Sequence, residues 1–144
     1  MTATNSFAQL YTELSLKPDL PVLVERCKLL VEILLDCNSL PQTQPVCRCL
    51  GAYLDEVKQG LDESMSDFRV VEFEDEQPQQ KAWLLEETEA KCDYCRALNH
   101  VLLISHFDRD MLPHLTGLLH DITHSMADDM VVPRSQSTVV HLIP

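Results

Sequence analysis

One apolar stripe in residues 108–130 constrains the fold of this chain more than any other feature. Its members recur at steps of three and four, which is the period of one face of an α-helix. They are Met111, Leu112, Leu115, Leu118, Leu119, Ile122, Met126 and Met130. Asp108 or Asp110 can cap the helix start, and Pro113 falls in the first turn, where a missing N–H costs little. A stripe this long needs other helices to cover it.

Three further segments show the same helical periodicity, namely 18–37, 46–68 and 81–107. Residues 1–18 add a shorter amphipathic arm. The segment 38–45 contains two prolines and is predicted to be a loop that stops the preceding helix. Four long segments with short connections predict an all-α fold, an antiparallel helical bundle of about four main helices. An irregular helical array is the alternative.

The length of 144 residues fits a single domain, which we assign to residues 1–130. Pro133 is predicted to end the last helix. Residues 131–144 then form an extended tail, either flexible or docked on a partner as a short strand or peptide. Two glycines lie inside the second long helix, where Gly51 would permit a close helix crossing and Gly60 would mark fraying.

The charge is strongly acidic, with 23 acidic and 11 basic residues and a formal net charge of −12. This balance disfavours direct binding to nucleic acid and to anionic membranes, because both bind through cationic side chains. A basic protein partner fits better, and solubility alone is the other explanation. Ten acidic residues lie between positions 62 and 89, against Arg69 and Lys81.

Within this acidic region, residues 69–80 interrupt the helical pattern and predict a short edge strand or an extended acidic loop. The acidic region is the expected partner-binding surface. Its candidate residues are Glu72, Phe73, Glu74, Asp75, Glu76, Glu86 and Glu87.

The sequence also predicts a cytoplasmic protein. The N-terminus lacks the basic start and unbroken apolar run of a signal peptide. The most apolar stretch, 29–37, is interrupted by Glu32 and is too short to span a bilayer. Six cysteines without a secretion signal are typical of reduced thiols in a cytosol.

Two cysteine pairs raise the question of a metal site. Cys92 and Cys95 form C-x-x-C, Cys47 and Cys49 form C-x-C, and four thiolates could bind zinc. Both pairs fall within predicted helices, however, and residues two apart on a helix face different ways. Free cysteine on a core face acts as a small apolar side chain. We therefore expect these thiols to pack in the core and to bind no metal.

His120 and His124 lie one helical turn apart and could share a metal ion. Their segment, H-D-I-T-H, lacks the glutamate that metalloprotease chemistry requires between the two histidines. The sequence offers no evident third ligand, although His100, His106 and His114 are nearby. The favoured interpretation is that His120 and His124 line the polar side of their helix.

The pair Arg109 and His114 has the spacing R-x4-H at a helix start. This spacing resembles the motif of HEPN-type helical ribonucleases. The resemblance implies a site at a dimer interface, in which the arginine steadies phosphate charge and the histidine moves a proton.

Motifs for nucleophilic, phosphate-binding or dinucleotide chemistry are absent from the sequence. The sequence therefore predicts a non-enzymatic interaction protein without a cofactor, namely a regulator, adaptor, inhibitor or immunity-type factor. It would bind a protein partner through the acidic region or an apolar groove. One alternative is a ribonuclease or metal-binding protein that uses Arg109, His114, His120 or His124. The other is a structural bundle that forms a homodimer or larger homo-oligomer.

Overall fold

The computed structural model describes the backbone of residues 2–71, 78–104 and 108–142, and the side chains of 7–64, 86–104 and 108–130. Every secondary-structure element in these ranges is helical, which confirms the predicted all-α class. The α-helices are α1 (Thr2–Ser15), α2 (Leu20–Leu35), α3 (Leu40–Val71), α4 (Pro78–Ile104) and α5 (Leu112–Leu142), and one 3-10 turn, Arg109–Met111, precedes α5.

Helices α2 to α5 form a closed ring in which α2 and α4 each pack against α3 and α5. Neighbouring helices of the ring run antiparallel wherever side-chain contacts between them define their relative direction. Between α3 and α4, Arg96 bonds Asp55 whereas Lys58 bonds Asp93, so the residue numbers run in opposite directions. The predicted antiparallel bundle of four main helices is therefore confirmed.

The N-terminal arm is a helix that packs on the outside of this ring. Leu10 of α1 is buried, and the Tyr53 hydroxyl of α3 donates a hydrogen bond of 2.5 Å to the Leu10 carbonyl oxygen. On the neighbouring helix α2, Arg26 forms an ion pair of 2.7 Å with Glu13. One buried and one surface contact thus fix the arm against two helices.

The start of α3 differs from the predicted loop at 38–45. The helix begins at Leu40 and continues through Pro45. Buried Thr43 anchors this first turn, and its hydroxyl donates to the Leu40 carbonyl oxygen at 2.9 Å. Packing of the turn explains why Pro45, which removes one helical N–H and would disfavour a helix locally, does not delay the helix start.

The apolar stripe of residues 108–130 is helical as predicted, but the neighbouring helices cover only part of it. Leu112, Leu119 and Met126 are buried, whereas Met111 and Leu118 are about half exposed. Asp108 occupies the N-cap position of the 3-10 turn without a side-chain capping hydrogen bond, and Pro113 is the second residue of α5. The apolar arc of α5 is therefore wider than the surface its neighbours cover.

The end of α5 corrects a second prediction. The helix does not stop at Pro133 but continues to Leu142, so an extended tail over 131–144 is wrong for the residues up to Leu142. A strand in that segment is excluded over the same residues. Residues 143–144 lie outside the described part of the chain.

Five of the six cysteines are buried in the core, and the sixth, Cys37, is partly buried. Burial raises the pKa of the Cys47 and Cys92 thiols to about 12 and that of Cys49 and Cys95 to about 11. The thiolate is the reactive form, so a raised pKa and burial both suppress reaction with solvent reagents.

We expect about one of the six thiols of the folded protein to react with Ellman's reagent within minutes at pH 8. That thiol is Cys37, because the others are enclosed by helices. All six should react in denaturant. Cys37→Ser should remove the fast phase, and rapid labelling of three or more thiols in the native state would contradict the packing described here.

Candidate functional site

Three side chains with metal-binding donor atoms meet where α2 and α5 pack together. His120 and His124 lie one turn apart on α5, and Glu32 faces them from α2. Their donor atoms lie within 4.8 Å of one another, and no other such group of three occurs in the described part of the chain. The side chains are 26%, 33% and 53% exposed, respectively, so the cluster is open to solvent.

Both imidazoles direct the same ring nitrogen toward one carboxylate oxygen. Nε2 of His120 lies 2.9 Å from Oε1 of Glu32, and Nε2 of His124 lies 3.3 Å from the same oxygen. The other ring nitrogens have separate partners. Nδ1 of His124 lies 3.0 Å from the His120 carbonyl oxygen, and Nδ1 of His120 lies 3.4 Å from Oδ1 of Asp121. The ring centroids are 3.9 Å apart.

Sequence reasoning found the two histidines but missed Glu32. The sequence offers no evident third ligand, whereas the structure places the Glu32 carboxylate 2.9 and 3.3 Å from the two imidazoles. Glu32 lies 88 positions before His120 and sits in a helix that reads as an ordinary amphipathic segment. Only the packing of α2 against α5 brings the carboxylate to the histidines, and no local motif signals it.

The acidic region is described in part. Glu72, Phe73, Glu74, Asp75 and Glu76, five of the predicted partner-binding residues, lie outside the described residues. The remaining two, Glu86 and Glu87, are exposed on α4.

On α3, Asp62 and Glu63 are also exposed. A hydrogen bond with Asp62 and burial raise the pKa of the Glu89 carboxyl, against the lowering effect of Lys58. This contact sets the register, in which Asp62 and Glu63 lie level with the α4 glutamates. We call Asp62, Glu63, Glu86 and Glu87 the acidic surface.

The cysteine pairs do not converge on one point. The Cys92 thiol donates to the Leu54 carbonyl oxygen of α3 at 3.6 Å, whereas Cys95 contacts the Thr123 hydroxyl of α5 at 3.3 Å. The two thiols of the C-x-x-C pair therefore point toward different helices. Cys47 and Cys49 are buried on α3, and no cysteine belongs to a metal-competent group among the described side chains.

Arg109 and His114 lie at the opposite end of the bundle from the acidic surface. Arg109 lines a shallow cavity of about 430 Å³ with Leu35, Leu112 and Pro113. His114 is exposed on the first turn of α5 and is not among the lining residues. The structure does not join this pair to His120 and His124, and the ribonuclease alternative gains no assembled site.

Comparisons with known protein families, with curated proteins and with solved structures gave no match for this chain. Among the described residues, no helix combines the length and the hydropathy that crossing a membrane requires.

Proposed function

We propose that this protein is a small helical interaction module that binds the basic surface of a protein partner and performs no catalysis. The main observation behind this proposal is that Glu86 and Glu87 are exposed and form no ion pair with any described residue. Exposed Asp62 and Glu63 lie near the same end of the neighbouring helix α3. Exposed carboxylates on two neighbouring helices create a negative field that favours a cationic partner.

The two described lysines near this surface support the proposal because each already forms an ion pair. Lys58 forms ion pairs with Glu89 at 3.1 Å and with Asp93 at 3.2 Å. Lys91 is held by Asp129 at 2.8 Å on the α5 side. Neither lysine is therefore available to neutralise Glu86 and Glu87. A regulator, adaptor or inhibitor in the cytosol is the class of protein we infer, and the six free cysteines fit that compartment.

Charge reversal tests the acidic surface. Wild type, the Glu86→Lys/Glu87→Lys variant and the matched control Glu25→Lys/Asp110→Lys would each serve as bait in affinity purification from the native host. Both variants change the net charge equally. We expect one partner to be recovered by wild type and by the control, to be lost from the Glu86/Glu87 variant, and to dissociate as salt increases.

Substitution of Glu72, Glu74, Asp75 and Glu76 by lysine extends the same test to the rest of the predicted partner-binding residues. The proposal is wrong if every partner of the wild type stays bound to the Glu86/Glu87 variant and to the variant with lysine at positions 72, 74, 75 and 76. A homodimer remains the second candidate, because Met111 in the 3-10 turn and Leu118 on α5 are half-exposed apolar side chains that a second copy would cover.

A further inference from the structure

We propose that Glu32, His120 and His124 bind a single zinc ion that links α2 to α5. Two imidazole nitrogens and one carboxylate oxygen form a donor set that zinc uses in proteins, with water in the fourth position. Zinc bonds of about 2.0–2.1 Å place the ligand atoms of a tetrahedron about 3.3 Å apart. The two Nε2–Oε1 distances of 2.9 and 3.3 Å are close to that spacing.

The hydrogen-bonding capacity of His124 supplies an independent argument. The His120 carbonyl oxygen can only accept, so Nδ1 of His124 donates to it. A neutral His124 then turns the lone pair of Nε2 toward the Glu32 carboxylate oxygen, 3.3 Å away. Two lone pairs in that position repel, and a cation between them removes the repulsion.

His120 has the same difficulty, because both of its ring nitrogens face carboxylate oxygens, those of Glu32 and Asp121. A neutral imidazole carries one proton and can satisfy only one of them. A zinc ion bound by both Nε2 atoms leaves Nδ1–H of His120 to donate to Asp121 and Nδ1–H of His124 to donate to the His120 carbonyl oxygen, as metal-bound histidines do.

The charge around the cluster also favours a cation. Both ion-pair partners of Glu32 among the described residues are the histidines themselves. Lys28, one turn before Glu32, is paired with Glu25 at 3.4 Å. Imidazole ligands favour zinc and similar transition metals over Mg²⁺ and Ca²⁺, which prefer oxygen ligands alone.

Isothermal titration of the tag-free, EDTA-dialysed protein with ZnCl₂ at pH 7.5 tests the proposal. We expect one zinc ion per chain, with no comparable binding of MgCl₂ or CaCl₂. Glu32→Gln, His120→Gln and His124→Gln should each weaken binding at least about tenfold. The controls Asp110→Asn and His114→Gln alter exposed residues outside the cluster and should bind zinc as the wild type does.

Two readouts do not depend on the fold of the variants. In the wild type, zinc should shift the NMR signals of two of the six imidazoles. The melting temperature should rise by up to about 5–10 °C at free zinc a hundredfold above Kd, because the cluster is assembled only in the folded state. Absence of stoichiometric binding, or equal binding by the ligand variants and the controls, would overturn the assignment. Either result leaves the acidic-surface proposal untouched.

Discussion

Replacing Leu54 with alanine is expected to lower the free energy of unfolding by about 2–5 kcal/mol. Leu54 lies on α3 with none of its surface exposed, and the thiol of Cys92 on α4 donates to its carbonyl oxygen. The substitution removes buried methyl groups and leaves a cavity that the surrounding helices fill only in part. Typical domains have a total stability of about 5–15 kcal/mol, so the loss is large.

Urea unfolding followed by the helical circular dichroism signal measures this effect. The matched control is Leu29→Ala on α2, where the side chain is 45% exposed and the expected loss is below about 1 kcal/mol. The denaturant slope should be the same for both variants if the folded state keeps its extent. Equal losses of unfolding free energy in Leu54→Ala and Leu29→Ala would contradict an orientation of α3 that buries Leu54.

Leu54 was predictable as a core residue because the period of apolar side chains gives the buried face of a helix. The same reasoning predicted the number of main helices and their antiparallel arrangement. It did not predict how much of the apolar face of each helix the neighbouring helices cover. Leu118 belongs to the stripe of α5 by spacing, yet it is half exposed, since coverage depends on where the neighbouring helices lie.

Proline explains where the helix boundaries differed from prediction. The rule that proline ends a helix concerns one lost hydrogen bond and one steric contact within the helix. At Pro45 the backbone stays helical because buried side chains pack the helix on both sides of the proline. Thr43 precedes it, and Val46 and Leu50 follow it. A cost of roughly 3 kcal/mol for proline within a helix can be offset by such tertiary packing, which local sequence does not reveal.

The histidine cluster shows the corresponding limit for a site. The spacing of His120 and His124 places two imidazoles on one helix face, and this much follows from the sequence. Glu32 joins them through the packing of helices that are distant in the chain. A pair of ligands is therefore visible in the sequence, whereas the third becomes evident only when the bundle is assembled.

The substitution Gly51→Leu is expected to destabilise the protein by about 1–3 kcal/mol through overpacking. Gly51 lies where α3 crosses α4, and a Cβ atom built there would approach Nδ2 of Asn99 to 3.1 Å. That amide donates a hydrogen bond of 2.9 Å to the Cys47 carbonyl oxygen, so it is held in place. The absence of a side chain at Gly51 thus leaves room for the Asn99 amide of α4.

A leucine at this position must displace the Asn99 side chain or separate the two helices. Asn99 is buried, and its Oδ1 already has no hydrogen-bond partner among the described atoms. Loss of the Nδ2 hydrogen bond would add a second unsatisfied group, which costs about 1–3 kcal/mol. The higher helix propensity of leucine offsets only up to about 1 kcal/mol of the combined loss.

Gly117→Leu is the matched control, because the same change on α5 meets no atom within 4 Å of the new Cβ. There the propensity gain should dominate, and stability should stay level or rise by up to about 1 kcal/mol. Urea unfolding of the two variants beside the wild type gives the comparison. Because α3 packs closely on α4, we expect the changes in unfolding free energy of the two variants to have opposite signs or to differ by more than about 1 kcal/mol. Equal effects would mean that Asn99 leaves room for a side chain at the crossing.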